Sequence, residues 1–258
     1  MDRDLAGLVL AAGAGTRLAP LTATLPKALC PVGTVPLVDH GLARIGPHVV
    51  GSAVNLHHGA DLLDAHLPPA VHRSTEQPEA LGTAGALGAL RPWIDGRGVL
   101  VTNADAWFGP SLDLATFVGA WDGERARLLC VRDPARGDFG ELRYCGVALL
   151  PWAQVARLAA VPSGLYEVSW RAERAAARLD LVETDAPFVD CGTPAEYLRA
   201  NLLASSGEAV VDPGADVGAG AQVRRSVVWA GAQVRPGEQL VDAIRTPEVT
   251  VAVRWIGA

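Results

Sequence analysis

Lysine is almost missing from this chain. Its 258 residues hold 22 lysines and arginines together, and Lys27 is the single lysine. Cysteine is scarce as well. Cys30, Cys130, Cys145 and Cys191 are widely spaced with no Cys-x-x-Cys pair, which predicts buried, reduced thiols of a cytoplasmic protein rather than a disulfide framework. A positive balance is absent: the net charge is −6 and the arginines are scattered, which argues against a nucleic-acid or anionic-membrane surface. No apolar run reaches membrane length, and the opening MDRDLAG lacks a basic-then-apolar signal, so a soluble protein is expected. No histidine follows His72. His57, His58 and His66 have no cysteine nearby, and Asp61 and Asp64 sit at ordinary helix-start positions, so a histidine metal site is not expected there.

Half of the residues are hydrophobic, enough to bury the core of one large α/β domain with a small appendage. The chain is organised around Leu5 to Pro31. Leu5 to Leu10 is an apolar run of strand length. It breaks into Ala11-Ala12-Gly13-Ala14-Gly15-Thr16-Arg17, small residues whose backbone N–H groups can approach a phosphate closely. Ten residues further on stands Lys27. In a chain that uses arginine wherever either cation will serve, a retained ammonium points to a phosphate that must meet a compact charge. A Walker loop would end in Gly-Lys-Ser/Thr, which is lacking. A dinucleotide fingerprint would need a small residue at Leu18.

The run from Leu10 to Val32 resembles the signature of the sugar-1-phosphate nucleotidyltransferases, L-A-A-G-x-G-T-R-L-x-P-L-T…P-K-x-L-x-P-V. Three further segments carry the resemblance. Gln77 to Thr83 is similar to the family's base-reading segment, with Gln77, Gly82 and Thr83 as nucleotide contacts. A glutamine amide complements uracil or thymine; the adjacent Glu76 keeps guanine open, and LGTAGAL looks most like the guanylyl members. Asp105 and Asp190, the second in Asp190-Cys191-Gly192-Thr193-Pro194, match the pair that holds Mg²⁺. Tyr144-Cys145-Gly146 and Gly164-Leu165-Tyr166-Glu167 resemble sugar-binding segments, with Gly146 and Glu167 as contacts.

What the resemblance implies is a transfer of NMP from an NTP to a sugar 1-phosphate, with release of pyrophosphate. Ala11, Ala12, Gly13, Gly15 and Thr16 would bind the nucleotide, with Arg17 and Lys27 on its phosphates. A mannose-1-phosphate guanylyltransferase-like activity is favoured over hexose-1-phosphate uridylyl or thymidylyl transfer. The relatives' hairpin lysine for the sugar phosphate is missing, because Asp133 to Gly140 leads almost directly into the next strand. Arg143, Arg136 and Arg132 are the candidate replacements. That gap keeps two alternatives open: a silent regulatory paralogue that binds an NDP-sugar, and a transferase for a non-sugar phosphate such as phosphocholine or a cyclitol phosphate.

The expected fold is a Rossmann-like α/β sandwich with a mostly parallel sheet over residues 1–205. Helices are predicted over Pro36–Ile45, Ala60–Leu67, Gly82–Leu90, Leu112–Trp121, Ser169–Arg178 and Ala195–Ala204. Strands are predicted over Val49–Asn55, Val71–Ser74, Gly98–Thr102, Arg127–Val131 and Tyr144–Leu150. Beyond the linker Ser205–Glu208, Val211, Val217 and Val223 fall six apart, and Val228, Val234 and Leu240 repeat this after a one-residue slip. That period predicts a short left-handed parallel β-helix over residues 206–258, packed on the first domain or on a second subunit. The second of these packings would make the protein a homo-oligomer through its tail. An acyltransferase built of such repeats would need far more coils and a histidine.

Overall fold

The computed structural model describes residues 4–254. Leu5–Leu10 forms strand β1, and its alternation shows how the layers arise. Leu5 and Val9 enter one core while Ala6 and Leu8 enter the other, the period of two expected of a strand covered on both faces. The other strands of the central sheet are β2 (Gly51–Leu56), β3 (His72–Thr75), β4 (Gly98–Asn103), β6 (Ala126–Arg132), β7 (Leu142–Leu150) and β8 (Leu179–Glu183), with β5 (Ala106–Phe108) and β9 (Phe188–Asp190) forming a separate antiparallel ribbon. The sheet order is β8-β6-β7-β4-β1-β2-β3. Only β7 runs against its neighbours, so the sheet is mostly parallel, as expected.

One face is covered by α1 (Leu37–Ile45), α2 (Ala60–His66) and α4 (Leu114–Gly119), whose buried residues join Val9 and Leu100. The other carries α3 (Gly82–Ile94), packed with Leu8 and Val101. Two predictions need correcting. The helix expected over Ser169–Arg178 begins with a π-helical turn, Tyr166–Trp170, continues as α5 (Arg171–Ala175) and stops there. The chain then adds the unpredicted edge strand β8, parallel to β6. Its residues are half-buried apart from an exposed end, so its apolar signal is weak.

All four cysteines are free and buried. Burial pushes the Cys30 and Cys130 thiols up to about 12 and holds Cys145 and Cys191 well above the usual thiol range as well. The unfolded chain loses these protons near its ordinary thiol range while the fold retains them, so stability falls as pH rises. The melting temperature is expected to drop steadily above pH ~9, starting near the unfolded thiol value. A flat profile from there into strong alkali would show that the thiols ionise inside the fold.

Helix α6 (Pro194–Ala204) opens at Thr193, whose hydroxyl accepts the Glu196 N–H at 3.3 Å, with Pro194 in its first turn. It carries the tail. Val210 pairs in parallel with Val227, and Val227 with Ile244, while two further ladders keep the same 17-residue offset. This pairing is consistent with a short β-helix. Its outer column Val210, Val227 and Ile244 packs against Tyr197 and Leu198 of α6. Trp229 Nε1 donates to the Tyr197 hydroxyl at 3.0 Å, which in turn donates to the Pro31 carbonyl. The two ends of the coil stack differ. Val211 and Val217 are 39% and 41% exposed, against 1% and 2% for their successors Val228 and Val234. At the other end the equivalent position is Arg245, paired with Glu238.

Candidate functional site

Strand order reverses at β1, which leaves a crevice at the carboxyl ends of β1 and β4, where open α/β sheets take ligands. Leu10 lies opposite Asn55 on one side and Asn103 on the other. Asn55 is buried, and its Oδ1 accepts the Ala11 N–H at 2.7 Å. Its Nδ2 donates to Glu76 Oε1 at 2.8 Å, and Glu76 Oε2 accepts the Leu81 N–H at 2.7 Å. Two buried side chains thus tie the small-residue loop after β1 to the loop that opens α3.

This network decides the roles of the neighbours Glu76 and Gln77. Both Glu76 oxygens are spent inside the fold, while Gln77 is exposed and stands outside the cavity wall. Neither side chain, as placed, presents a base-reading edge to the cavity. Replacing Glu76 by Gln would turn one acceptor into a donor facing another N–H group. The loss expected is about 1–3 kcal/mol, the cost of a buried unsatisfied group, read by denaturant unfolding. Unchanged stability would show that the tie is dispensable.

The crevice holds a cavity of about 240 Å³. Ala11, Ala12 and Gly13 line it from the first loop, Lys27 and Ala28 from a single 3₁₀ turn, Gly82 and Thr83 from the start of α3, and Asn103 and Asp105 from the end of β4. Seven expected site residues therefore meet here. Gly15 and Thr16 lie further along the loop. Gly15 takes a left-handed conformation (φ 64°), and a Cβ there would stand 2.9 Å from Lys27 Cβ, so this glycine lets the loop close over the lysine. Thr83 is partly committed to structure, since its hydroxyl accepts the Leu165 N–H at 2.9 Å.

The two aspartates come from different elements. Ribbon β5–β9 places Asp190 opposite Ala106, and the Cys191 N–H donates to the Asp105 carbonyl at 3.0 Å. Lys27 Nζ donates to Asp105 Oδ2. Arg143 Nη2 donates to Asp190 Oδ2 at 3.2 Å, while Asp190 Oδ1 is buried without a protein partner. A Cβ on Gly192 would lie 2.9 Å from that same oxygen and 3.1 Å from Arg17 Nη2, so Arg17 stands beside it. Among the described residues no group of three or more His, Cys, Asp or Glu could hold a metal. An orphaned carboxylate oxygen next to a second carboxylate fits a divalent cation that takes its remaining ligands from phosphates and water.

One residue escaped the sequence reading. Arg44 donates to Thr102 Oγ1 and to the Ala106 carbonyl, both at 2.6 Å, and so brackets the turn that carries Asp105. Burial pushes its guanidinium down to about 10. It stacks over Phe108, and among the described residues no carboxylate pairs with it. An arginine inside an ordinary amphipathic helix gives no local sign of this role.

On the other side of the ribbon, Gly146 (φ 84°) lies against Asn103 and Ala106, where a Cβ would come within 3.1 Å and 3.0 Å of their side chains. The segment 133–141 closes β6 onto β7 through the Asp133 N–H donating to the Glu141 carbonyl at 2.9 Å. It leaves no room for a hairpin. Of the three arginines expected to replace the relatives' lysine, only Arg143 touches an expected site carboxylate. Arg132 pairs with Glu141, and Arg136 with Asp133 and Glu196. Glu167 is exposed on the π-helical turn.

The chain belongs to the nucleotidyl transferase family, whose model matches residues 6–138. It is 38% identical over 131 residues to an N-acetylmuramate alpha-1-phosphate uridylyltransferase of Caulobacter vibrioides, across 46% of this chain and 53% of that protein. It is 36% identical over 109 residues to a mannose-1-phosphate guanyltransferase of Debaryomyces hansenii, across 38% of this chain and 30% of that one. The chain thus matches about half the length of the first relative and less of the second. In fold it is similar to HddC from Yersinia pseudotuberculosis, with a TM-score of 0.62 and 20% identity over 76% of this chain and 98% of that chain. No described helix is long and apolar enough to cross a membrane.

Proposed function

We propose that the protein transfers NMP from an NTP to a sugar 1-phosphate, releasing pyrophosphate. The observation that carries this reading is Lys27 bonded to Asp105 in the wall of a cavity that Ala11–Gly13 also line, with Asp190 and Arg17 meeting at Gly192, next to the Cys191 N–H bond to the Asp105 carbonyl. The acceptor phosphate is already anionic, so an oxygen of it can attack the α-phosphorus without a general base. The new P–O bond forms as the α–β bridge breaks, and the electron pair leaves with pyrophosphate. The protein's part is positioning and charge neutralisation. Lys27 meets the α-phosphate and the incoming phosphate; Arg17 and the Gly13–Thr16 backbone meet the β- and γ-phosphates. Arg143 takes the place of the relatives' hairpin lysine at the sugar phosphate. Asp105 and Asp190 would hold Mg²⁺, which neutralises phosphate charge when bound.

The LGTAGAL segment favours GTP with mannose 1-phosphate. The relatives named above span uridylyl and guanylyl transfer, so donor and acceptor are best read together. Pyrophosphate release is expected in a grid of NTPs against sugar 1-phosphates with Mg²⁺. A grid dark throughout, with NDP-sugars still raising the melting temperature, would replace this reading by that of a silent binding paralogue. The exposed Val211 and Val217 support self-association through the tail.

A further inference from the structure

A second cavity, of about 400 Å³, is lined by Asp138, Phe139, Tyr144, Tyr166, Glu167 and Trp170. Four rings and two carboxylates make an unusual lining for a surface pocket. The rings are mutually braced: Phe139 and Tyr166 lie 5.9 Å apart, and Tyr144 meets Trp170 edge-on at 5.0 Å. No lysine, arginine or histidine is among the lining residues. Arg174 lies over the Phe139 ring, 5.1 Å from its centre, and donates to the Asp138 carbonyl at 3.4 Å, so the ring faces left for a ligand are those of Tyr144, Tyr166 and Trp170. Asp138 Oδ2 accepts the Tyr144 N–H at 2.9 Å, and neither carboxylate pairs with a cation among the described residues. Trp170 is 5% exposed and its indole N–H has no acceptor. The π-helical turn Tyr166–Trp170 presents three of the six residues at once; such turns are rare and concentrate at functional sites.

The cavity adjoins the reaction centre. Tyr144 and Gly146 lie on one face of β7, since Tyr144 packs with Ala148 in one core while Cys145 and Val147 enter the other. They are two residues apart, across an irregularity in the pairing of β7 with β6, and Gly146 abuts Asn103 of the first cavity. The π-turn is also pinned to that cavity, through the Leu165 N–H bond to Thr83. An acceptor with its phosphate at Lys27 extends one ring further into this box.

We infer that the acceptor is the 1-phosphate of an amino sugar, its free ammonium lying between Asp138 and Glu167 against the aromatic faces. The inference rests on the transferase reading above and names its substrate class. Unpaired carboxylates and ring faces both favour a cation, the rings receive the apolar face of a hexose, and the orphaned indole donor takes a hydroxyl oxygen. A phosphorylated choline satisfies the first demand but offers the indole no hydroxyl. An amino sugar therefore ranks ahead of mannose.

The test is kcat/KM for pyrophosphate release with glucosamine 1-phosphate, glucose 1-phosphate, N-acetylglucosamine 1-phosphate and phosphocholine, using the NTP that gives the highest rate. Glucosamine 1-phosphate is expected to lead its two neutral analogues by at least tenfold. Glu167→Gln and the exposed Tyr166→Leu should each shrink that lead to under threefold, through KM rather than kcat. Equal or better use of either neutral analogue overturns the inference and leaves the transferase reading standing. A lead for phosphocholine overturns the amino-sugar assignment. If no acceptor of this panel or of the wider grid, mannose 1-phosphate included, turns over, the transferase reading fails. Calorimetry with NTP present then decides the box: it stands if glucosamine 1-phosphate binds at least tenfold tighter than glucose 1-phosphate, and falls if it does not.

Discussion

Lys27→Arg is expected to lower kcat/KM for pyrophosphate release by at least about a hundredfold, the range seen when one group that stabilises developing charge is lost, although the formal charge is kept. Lys27 is held on all sides: its Cβ packs against Gly15, its ammonium meets Asp105, and its side chain is 11% exposed. A planar guanidinium is wider than this slot and carries its charge farther from the backbone. To enter, it must displace either the loop or the carboxylate, and both belong to the phosphate site. Activity within threefold of the native protein would remove Lys27 from the reacting phosphates.

Asp190→Asn is expected to cost about a thousandfold in turnover, the upper part of the same range, with little change in folding. Its Oδ1 has no partner to lose, and its contact with Arg143 is partly exposed, where an ion pair contributes little to stability. The melting temperature should therefore stay within about 3 °C, the shift of roughly 1 kcal/mol in a chain of this size. The same substitution at Asp105 should match the activity loss. Full turnover in either variant would dismiss the paired carboxylates as a metal site. A collapse of the fold in Asp190→Asn would instead make that residue structural.

Much of this arrangement is legible from local pattern. The apolar run Leu5–Leu10, the Thr193-Pro194 helix start and the spaced valines of the tail each specify their elements without distant contacts. In the crevice, Ala11–Gly13 and Lys27 stand out by their own chemistry, whereas Asp105 and Asp190 stand out only through resemblance to the family's motifs. Which of Glu76 and Gln77 turns inward is not. That choice hangs on a one-residue register at the end of a strand and on Asn55, a partner 21 residues away. Edge strand β8 is hidden for a related reason: it follows a helix-forming arginine–alanine run, and only its parallel neighbour Cys130–Ala126 stabilises it as a strand. Arg44 reveals its role only once the turn it brackets has been folded beside it.

The constant offset of the tail ladders makes its length a quantity that comes in units. The laddered residues, from Val210 with Val227 to Val228 with Arg245, each owe their aspect to a partner 17 positions away. Adding or removing one residue there would turn whole faces inside out, whereas adding 17 would lay one more coil on the open end at Val211 and Val217 and leave the seam at Tyr197 and Trp229 untouched. The other end is already covered, since Thr250–Ala252 folds back antiparallel along Ala243–Arg245. A lineage carrying this domain is thus free to vary the reach of its tail by whole coils while the phosphate crevice stays the same.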